Sequence, residues 1–377
     1  MRIAVIHDSY QPIKEGSVGG EDNLVNLELR ELKNSGHEVS SLIHDKEGVK
    51  NLVDRFRALT YGSPTELIKK IHEFNPEVIH CHNLSFYSGT KWMDQVNVPI
   101  VYSLHNFRIY CPIAISWRSG SHCFDCRDKS VFQSIKNKCS YSYGSLRFLR
   151  DNIFQKNMPE RNSVSRYIAA SELMKIELSK IINEDLISIL PNPSPDNFET
   201  FSKVRSNWLF AGRLTREKGI LELIQYWPDS QILDIAGDGE LKDEVLQIIS
   251  NKPNIRFIGT YSPSNKSIYA NYLGLVFPSL WMEGSPLVIL ESFAVGTPVI
   301  CLSNSSACEL IQKTEGGFVI NAPLNENNLK FALNDVYKNF QKYSGNALKC
   351  AKENFSIKGW IKSLESIFSE SISAYRH

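Results

Sequence analysis

The sequence predicts an α/β protein of two domains, each a parallel sheet with helices on both faces. Three observations predict it. The chain has 377 residues, and at roughly 100–200 residues per domain that favours two domains with separate cores. Short apolar, β-favouring runs alternate with helical patterns along most of the chain, which is how parallel sheets are written. Both halves also open alike, with an apolar strand and then a glycine-containing loop.

Ile3–His7 is too short an apolar run for a signal peptide and reads as the first strand. Gly16, Gly19 and Gly20 follow. Leu24, Leu27 and Leu32 then mark one face of a helix over 23–32, Gly36 ends it, and 38–44 reads as a second strand. That is a βαβ unit. A helix is expected over 64–74, and buried strands over 78–81 and 100–104, each followed by His-Asn: His82-Asn83 and His105-Asn106. Polar residues at the ends of apolar strands stand where open α/β sheets place their sites. Strand character resumes at 167–170 and 187–190. Pro191, Pro193 and Pro195 mark a linker. A second series then predicts strands at 208–211, 232–236, 255–258, 274–277, 298–301 and 317–320. A closing helix over 355–375 has Trp360, Leu364 and Ile367 on one face.

Bulk properties narrow the function. The formal net charge is +1, whereas a nucleic-acid binder calls for a strongly basic face. No stretch approaches the ~18 apolar residues of a membrane-spanning helix. The cytosol is the expected location, with contact at the inner face of the membrane left open.

Four segments carry candidate chemistry. In Phe277–Glu291 a strand ends and a helix begins, with Ser285 expected at the N-cap and Pro286 at the first helical position. Such a helix head favours phosphate. Glu291 would then grip a ribose hydroxyl and Glu283 a sugar, although the spacing suits two solvated carboxylates equally well. In Gly212–Gly219, Arg213 and Lys218 could neutralise a leaving diphosphate without a metal, or be ordinary surface charges. Gly19 and Gly20 would let backbone approach a phosphate, or form a plain turn. His105 ends a buried strand and could bond the transferred sugar, or simply a neighbouring carbonyl.

Residues 107–162 break the α/β rhythm and read as an insertion. Cys111, Cys123, Cys126 and Cys139 are spaced C-x11-C-x2-C-x12-C. Four thiolates of that spacing could hold a structural zinc; a disulfide pair or free thiols are the alternatives. The insertion is basic, with Arg127, Lys129, Lys136, Lys138, Arg147 and Arg150. It also carries Phe132, Tyr141, Tyr143, Leu146, Phe148, Leu149, Ile153 and Phe154. It could therefore touch an anionic bilayer or a lipid-linked acceptor, or be a helical pair covering the first core.

Taken together, these segments resemble the retaining glycosyltransferases of family 4, which have the GT-B fold. The resemblance rests on Gly19-Gly20, Leu104-His105-Asn106, Ala170-Ser171-Glu172 and Gly212-Arg213 with Lys218-Gly219. It also rests on Ala236-Gly237-Asp238-Gly239, on Glu283 and Glu291 with seven residues between, and on Gly296–Ile300. Cys111-Pro112 and the later cysteines resemble a subset of that family. The resemblance implies two Rossmann-like domains facing across a cleft. The acceptor-side domain would be 1–195, with the insertion at 107–162 and a returning helix at 355–377. The donor domain would be 196–354.

The resemblance further implies that Arg213 and Lys218 bind the donor diphosphate and that Glu291 holds the ribose. Glu283 would contact the transferred sugar, with Gly212 and the backbone of Gly284, Ser285, Pro286 and Leu287 near sugar and phosphate. Gly20, beside Gly19, would approach the phosphate, and His105 would lie by the reacting centre. Glu309 is a weaker candidate. The implied reaction moves a sugar, with configuration retained, from a nucleotide donor (UDP by default) to a glycan or lipid-linked acceptor in surface polysaccharide assembly. It needs no catalytic cofactor and no nucleic-acid partner.

Two departures stand out: Ser285-Pro286 replaces the usual Phe-Gly, and Pro191-Asn192-Pro193 replaces the usual Asn-Gly-Val-Asp stretch. Competing readings fare worse. No lysine context suggests the pyridoxal phosphate of a phosphorylase. An epimerase on the same scaffold stays open. No G-x-G-x-x-G follows the first strand, as an oxidoreductase would require, and a zinc-stabilised nucleic-acid binder would need a basic domain.

Overall fold

The computed structural model describes residues 1–9, 20–44, 65–84, 90–139, 163–195, 205–260 and 266–375. The chain divides into two compact units. One comprises Met1–Ser116, Cys123–Pro191 and Ile361–His377, the other Trp117–His122 and Asn192–Trp360.

The first unit is built on a six-stranded sheet, in which β1 (Arg2–Asp8), β2 (Glu38–His44), β3 (Val78–Cys81), β4 (Ile100–Leu104), β7 (Val164–Ala169) and β8 (Ile187–Ile189) run in the order β2-β1-β3-β4-β7-β8. All neighbours are parallel, and β1 pairs with β2 from Arg2↔Glu38 to Asp8↔His44. Helices cover both faces of such a sheet, so its strands are continuously apolar. Ile3, Ala4, Val5 and Ile6 accordingly have no exposed surface at all. Helix α1 (Gly20–Asn34) buries Leu24, Val25 and Leu32. Helix α2 spans Thr65–Phe74. Within the insertion, Trp117–Arg118 (β5) and Ser121–His122 (β6) form a small hairpin, followed by two four-residue helices, α3 (Asp125–Asp128) and α4 (Gln133–Lys136). The aromatic and basic residues of 140–162 lie outside the described residues. Beyond the insertion, α5 (Glu172–Leu178) is capped by the Ser171 hydroxyl, which accepts from Met174 N–H.

In the second unit, β9 (Asn207–Ala211), β10 (Leu233–Ala236), β11 (Ile255–Gly259), β12 (Tyr272–Phe277), β13 (Val299–Leu302) and β14 (Gly317–Ile320) run β11-β10-β9-β12-β13-β14, again all parallel. Successive residues of β9 serve opposite faces: Trp208 and Phe210 join one apolar cluster, Leu209 and Ala211 the other. Helices α6 (Ile220–Tyr226), α7 (Lys242–Ile249) and α10 (Glu326–Lys338) pack in the first cluster. Helices α8 (Leu287–Ala294), α9 (Ala307–Thr314) and α11 (Phe340–Asn354) pack in the second. Helix α12 (Ile357–Tyr375) begins among second-unit residues and returns to the first unit from Ile361 onward. There Glu365 Oε1 lies 2.8 Å from His37 Nε2, and the Phe368 ring centre lies 5.2 Å from that of His80. Among the described residues no helix is long and apolar enough to cross a membrane.

Both strand orders reverse direction next to their first strand. Open α/β sheets bind ligands at such switch points, outside the strands' carboxyl ends. The switch falls between β1 and β3 in the first unit and between β9 and β12 in the second.

Candidate active site

In the second unit, Gly212, Arg213 and Leu214 follow directly on β9. The turn after β10 packs on them: Leu214 N–H donates to Asp238 O at 2.8 Å, and Leu241 N–H donates to Leu214 O at 2.9 Å. Gly219 serves the next loop. Its φ is +69°, and a Cβ there would stand 2.1 Å from the carbonyl oxygen of Pro278. Only glycine permits both that conformation and that approach. Leu280 N–H donates to Glu217 O at 2.9 Å. The loops leaving adjacent strands β9 and β12 are thus stitched together.

This stitching fixes Lys218. Its ammonium lies 2.6 Å from Glu283 Oε1, and the Ser279 hydroxyl donates to the same oxygen at 2.7 Å. The rings of Phe277 and Trp281 lie 5.8 and 5.7 Å from Nζ, within cation–π range. The Lys218 and Glu283 side chains are only 14% and 9% exposed. Arg213 is the complement. Its guanidinium is 60% exposed and stands 3.4 Å from Glu217 Oε1, which also accepts the Thr215 hydroxyl at 2.7 Å. One loop therefore carries a sequestered cation, Lys218, and two accessible ones, Arg213 and Arg216.

The head of α8 corrects the sequence reading. Pro286 is the N-cap residue, with φ −70° and ψ 114°, and the helix starts at Leu287 with no side-chain cap. Ser285 is engaged elsewhere. Its hydroxyl accepts Asn192 N–H at 3.2 Å, and its carbonyl accepts the Asn192 side-chain amide at 2.8 Å. The first N–H groups of α8 have no intrahelical acceptor, and the helix dipole favours an anion there. Glu291 is the fifth residue of α8, about 6 Å along the axis from its start. Its Oε2 accepts the Tyr269 hydroxyl at 2.8 Å. Gly284 lies between Glu283 and this head. Glu309 is exposed in the first turn of α9, where a carboxylate complements the helix end.

In the first unit, His105 follows β4. The sequence allowed a histidine bonded to a backbone carbonyl. The structure instead places its Nε2 2.8 Å from Nδ1 of His82, with the two rings within 4° of coplanar. His82 Nε2 lies 3.0 Å from Glu28 Oε2, and His80 Nδ1 lies 2.6 Å from Glu28 Oε1. His80 Nε2 meets the Ser103 hydroxyl at 2.8 Å. Nearby, His7 Nε2 pairs with Asp22 Oδ1 at 2.6 Å. Burial works to raise the Glu28 carboxyl, but the His80 and His82 imidazoles prevail and hold it far below its ordinary range. Burial pushes His82 down to about 4 against the pull of Glu28. Burial, and then His82, His7 and His80, lower His105 as well. Burial lifts Glu21 to about 7, against the pull of His7 and Arg108. Gly20 is the first residue of α1 rather than part of the loop before it. Gly19 lies outside the described residues.

The four insertion cysteines are neighbours without disulfides. The Ser116 N–H donates to Cys111 Sγ at 3.3 Å. Burial, then the thiols of Cys111, Cys139 and Cys123, push the Cys126 thiol up to about 12. Among the described residues, the metal-capable group whose donor atoms all lie within 4.8 Å of one another is Glu28, His80 and His82, not the cysteines.

Sequence reasoning missed Glu28, His80, Ser279 and Tyr269. Glu28 had a readable signal: it stands at helical spacing between Leu24 and Leu32, on the stripe that faces the core.

Two six-stranded parallel sheets of this order are the GT-B fold. The family comparisons agree. The family 4 glycosyltransferase model matches residues 18–195, and the model of glycosyl transferases group 1 matches residues 198–349. The chain is a glycosyltransferase whose first half is of the family 4 type and whose second half is of group 1. It is 24% identical over 334 residues to an uncharacterized glycosyltransferase of Methanocaldococcus jannaschii, covering 80% of this chain and 75% of that protein. It is 29% identical over 172 residues to a putative teichuronic acid biosynthesis glycosyltransferase of Bacillus subtilis, covering 40% of this chain and 42% of that protein. Among solved structures, the Anabaena HepE protein in complex with UDP and glucose superposes with a TM-score of 0.67 at 16% identity, covering 98% of this chain and 100% of that one.

Proposed function

We propose that the protein transfers a sugar, with retention of configuration, from a nucleoside diphosphate donor to a hydroxyl of a glycan or lipid-linked acceptor. The observation that carries this reading is the buried Lys218–Glu283 pair before the head of α8, with Glu291 further along the same helix. The head of α8, Gly212, Arg213 and Lys218 take the diphosphate. Developing negative charge on the leaving phosphate is met by Lys218, already desolvated, and by Arg213, which swings in from solvent. These two cations supply the charge that a metal would otherwise carry. Glu291 accepts from the ribose hydroxyls, and Glu283 from a hydroxyl of the transferred sugar, with the Gly284–Leu287 backbone alongside. Gly20, beside Gly19, approaches the phosphate, and His105 meets the sugar.

Retention then follows from front-face displacement. The acceptor oxygen bonds to the anomeric carbon as the carbon–oxygen bond to phosphate breaks, and the leaving phosphate oxygen takes the acceptor's proton. UDP is the expected carrier, a reading supported by the UDP bound to the Anabaena structural relative. The Bacillus relative named for teichuronic acid synthesis favours a surface polysaccharide as the product. Such work would place the protein at the inner face of a membrane. We further propose that Cys111, Cys123, Cys126 and Cys139 would take a structural zinc only by drawing together, since their sulfurs do not all lie within 4.8 Å of one another as four ligands of one tetrahedral ion must.

A thermal-shift panel of UDP, GDP, ADP and dTDP tests the donor reading, because a ligand that binds the native state raises its melting temperature. One nucleotide should raise it, and silence to all four would contradict the proposal. The anomeric configuration of the product, read by NMR, tests retention.

A further inference from the structure

Behind His105, which the proposed chemistry places at the sugar, the first unit carries two buried groups that it does not use: Glu28 and His82. Glu28 and His82 are 0% and 1% exposed. His82 Nε2 and Glu28 Oε2 face each other at 3.0 Å, out of line for a full hydrogen bond, and neither atom has a hydrogen-bond partner among the described residues. An ionised carboxylate repels a bare nitrogen lone pair and attracts an N–H at that distance, so its charge favours His82 Nε2–H. A neutral imidazole with Nε2 protonated has a bare lone pair on Nδ1. That lone pair faces His105 Nε2 at 2.8 Å, so His105 must donate from Nε2. Its own Nδ1 is then the unprotonated nitrogen, and it has no partner among the described residues. His80 is fixed in parallel, donating from Nδ1 to Glu28 Oε1 while Nε2 accepts the Ser103 hydroxyl. One carboxylate thus sets the tautomers of two histidines directly and of a third by relay.

We propose that Glu28 is a positioning residue which, through His82, holds His105 as the Nε2–H tautomer, so that its Nδ1 accepts a hydrogen bond from a hydroxyl of the transferred sugar. This inference rests on the proposed placement of His105 at that sugar. The opposite tautomer would present an N–H that donates to the hydroxyl oxygen, reversing the direction of the bond and leaving the hydroxyl proton without this acceptor. The groups packed about the relay are His7, Asp22 and Glu21 from β1 and α1, His80 from β3, Ser103 from β4 and Phe368 from α12.

The test is Glu28→Gln, read in two ways. Long-range nitrogen–proton NMR of histidine-labelled protein reports each tautomer without any turnover. The wild type should show His105 and His82 both protonated at Nε2. The variant should shift the His105 population toward Nδ1–H, because an amide can present N–H to His82. Kinetically, Glu28→Gln should lower kcat about tenfold or more while the affinity for free nucleotide diphosphate, measured by calorimetry, stays within about twofold. His105→Asn, whose side-chain oxygen can accept the same hydroxyl, should retain more activity than His105→Ala. A wild-type His105 protonated at Nδ1 overturns the proposal, as does a stoichiometric metal bound at Glu28, His80 and His82. A correct tautomer pattern in a protein that binds no nucleotide would overturn the donor reading alone.

Discussion

Lys218 and Arg213 sit on one loop, yet they are held differently, and that difference has consequences. Lys218 is locked on Glu283 and Ser279, so Lys218→Ala leaves a buried carboxylate without its cation, and removing one partner of a buried pair is strongly destabilising. The variant should lose most turnover, by about a hundredfold or more at saturating donor, with a marked fall in melting temperature. Full turnover would refute its role. Glu291→Ala removes an acceptor bonded to the Tyr269 hydroxyl at 2.8 Å. The expected result is a KM for donor raised about tenfold or more, in keeping with loss of a charged hydrogen bond worth ~1.5–3 kcal/mol, with kcat changed little. Steady-state kinetics separate the two patterns.

The elements that hold these residues were legible to different degrees. Strands β3, β4 and β14 begin and end where the alternation of apolar runs predicts, because both faces of a parallel sheet demand unbroken hydrophobicity. The loops that carry Arg213, Lys218 and Glu283 were legible for the same reason, since they follow the ends of β9 and β12, whereas Glu291 lies within α8. The head of α8 was not. Ser285 has the chemistry of an N-cap, but Asn192 is nearly a hundred positions away in the chain and claims both its hydroxyl and its carbonyl. Local preference yielded to a tertiary partner. The two departures from the family's usual sequence, at Ser285-Pro286 and at Pro191-Asn192-Pro193, are therefore one feature, bonded to each other. Asn192→Ala should loosen that head, weakening nucleotide affinity by several-fold in calorimetry with little change in melting temperature. Gly219→Ala should do more, because it places a Cβ 2.1 Å from Pro278 O at a φ of +69°. Destabilisation beyond ~1 kcal/mol is expected, read as a lower denaturant midpoint.

At the scale of the molecule, the histidine cluster makes the first unit sensitive to acid. His82 and His105 both have lowered pKa values in the folded protein. A histidine of that kind stays neutral when folded but takes up a proton when unfolded. It therefore withdraws stability as pH falls through 6.5 toward about 4. His7 works the other way: despite burial, its pairing with Asp22 raises it, so its contribution is present at low pH and lost above its folded value. Glu21, lifted to about 7, works in the same direction as His7, so the relay is read by difference: from pH 7 to pH 5 the melting temperature should fall further, or rise less, in the wild type than in His82→Gln. An equal change in the two proteins over that range would contradict the neutral relay.

The account depends most on a diphosphate being gripped by the loop after β9 and the head of α8. Calorimetric titration of UDP into the wild type, Arg213→Ala and Lys218→Ala tests this directly, with UMP as the control. UDP should bind the wild type more tightly than UMP does, and each variant should lose about tenfold or more of its UDP affinity while its UMP affinity changes little. Equal UDP affinity in all three proteins would contradict the account.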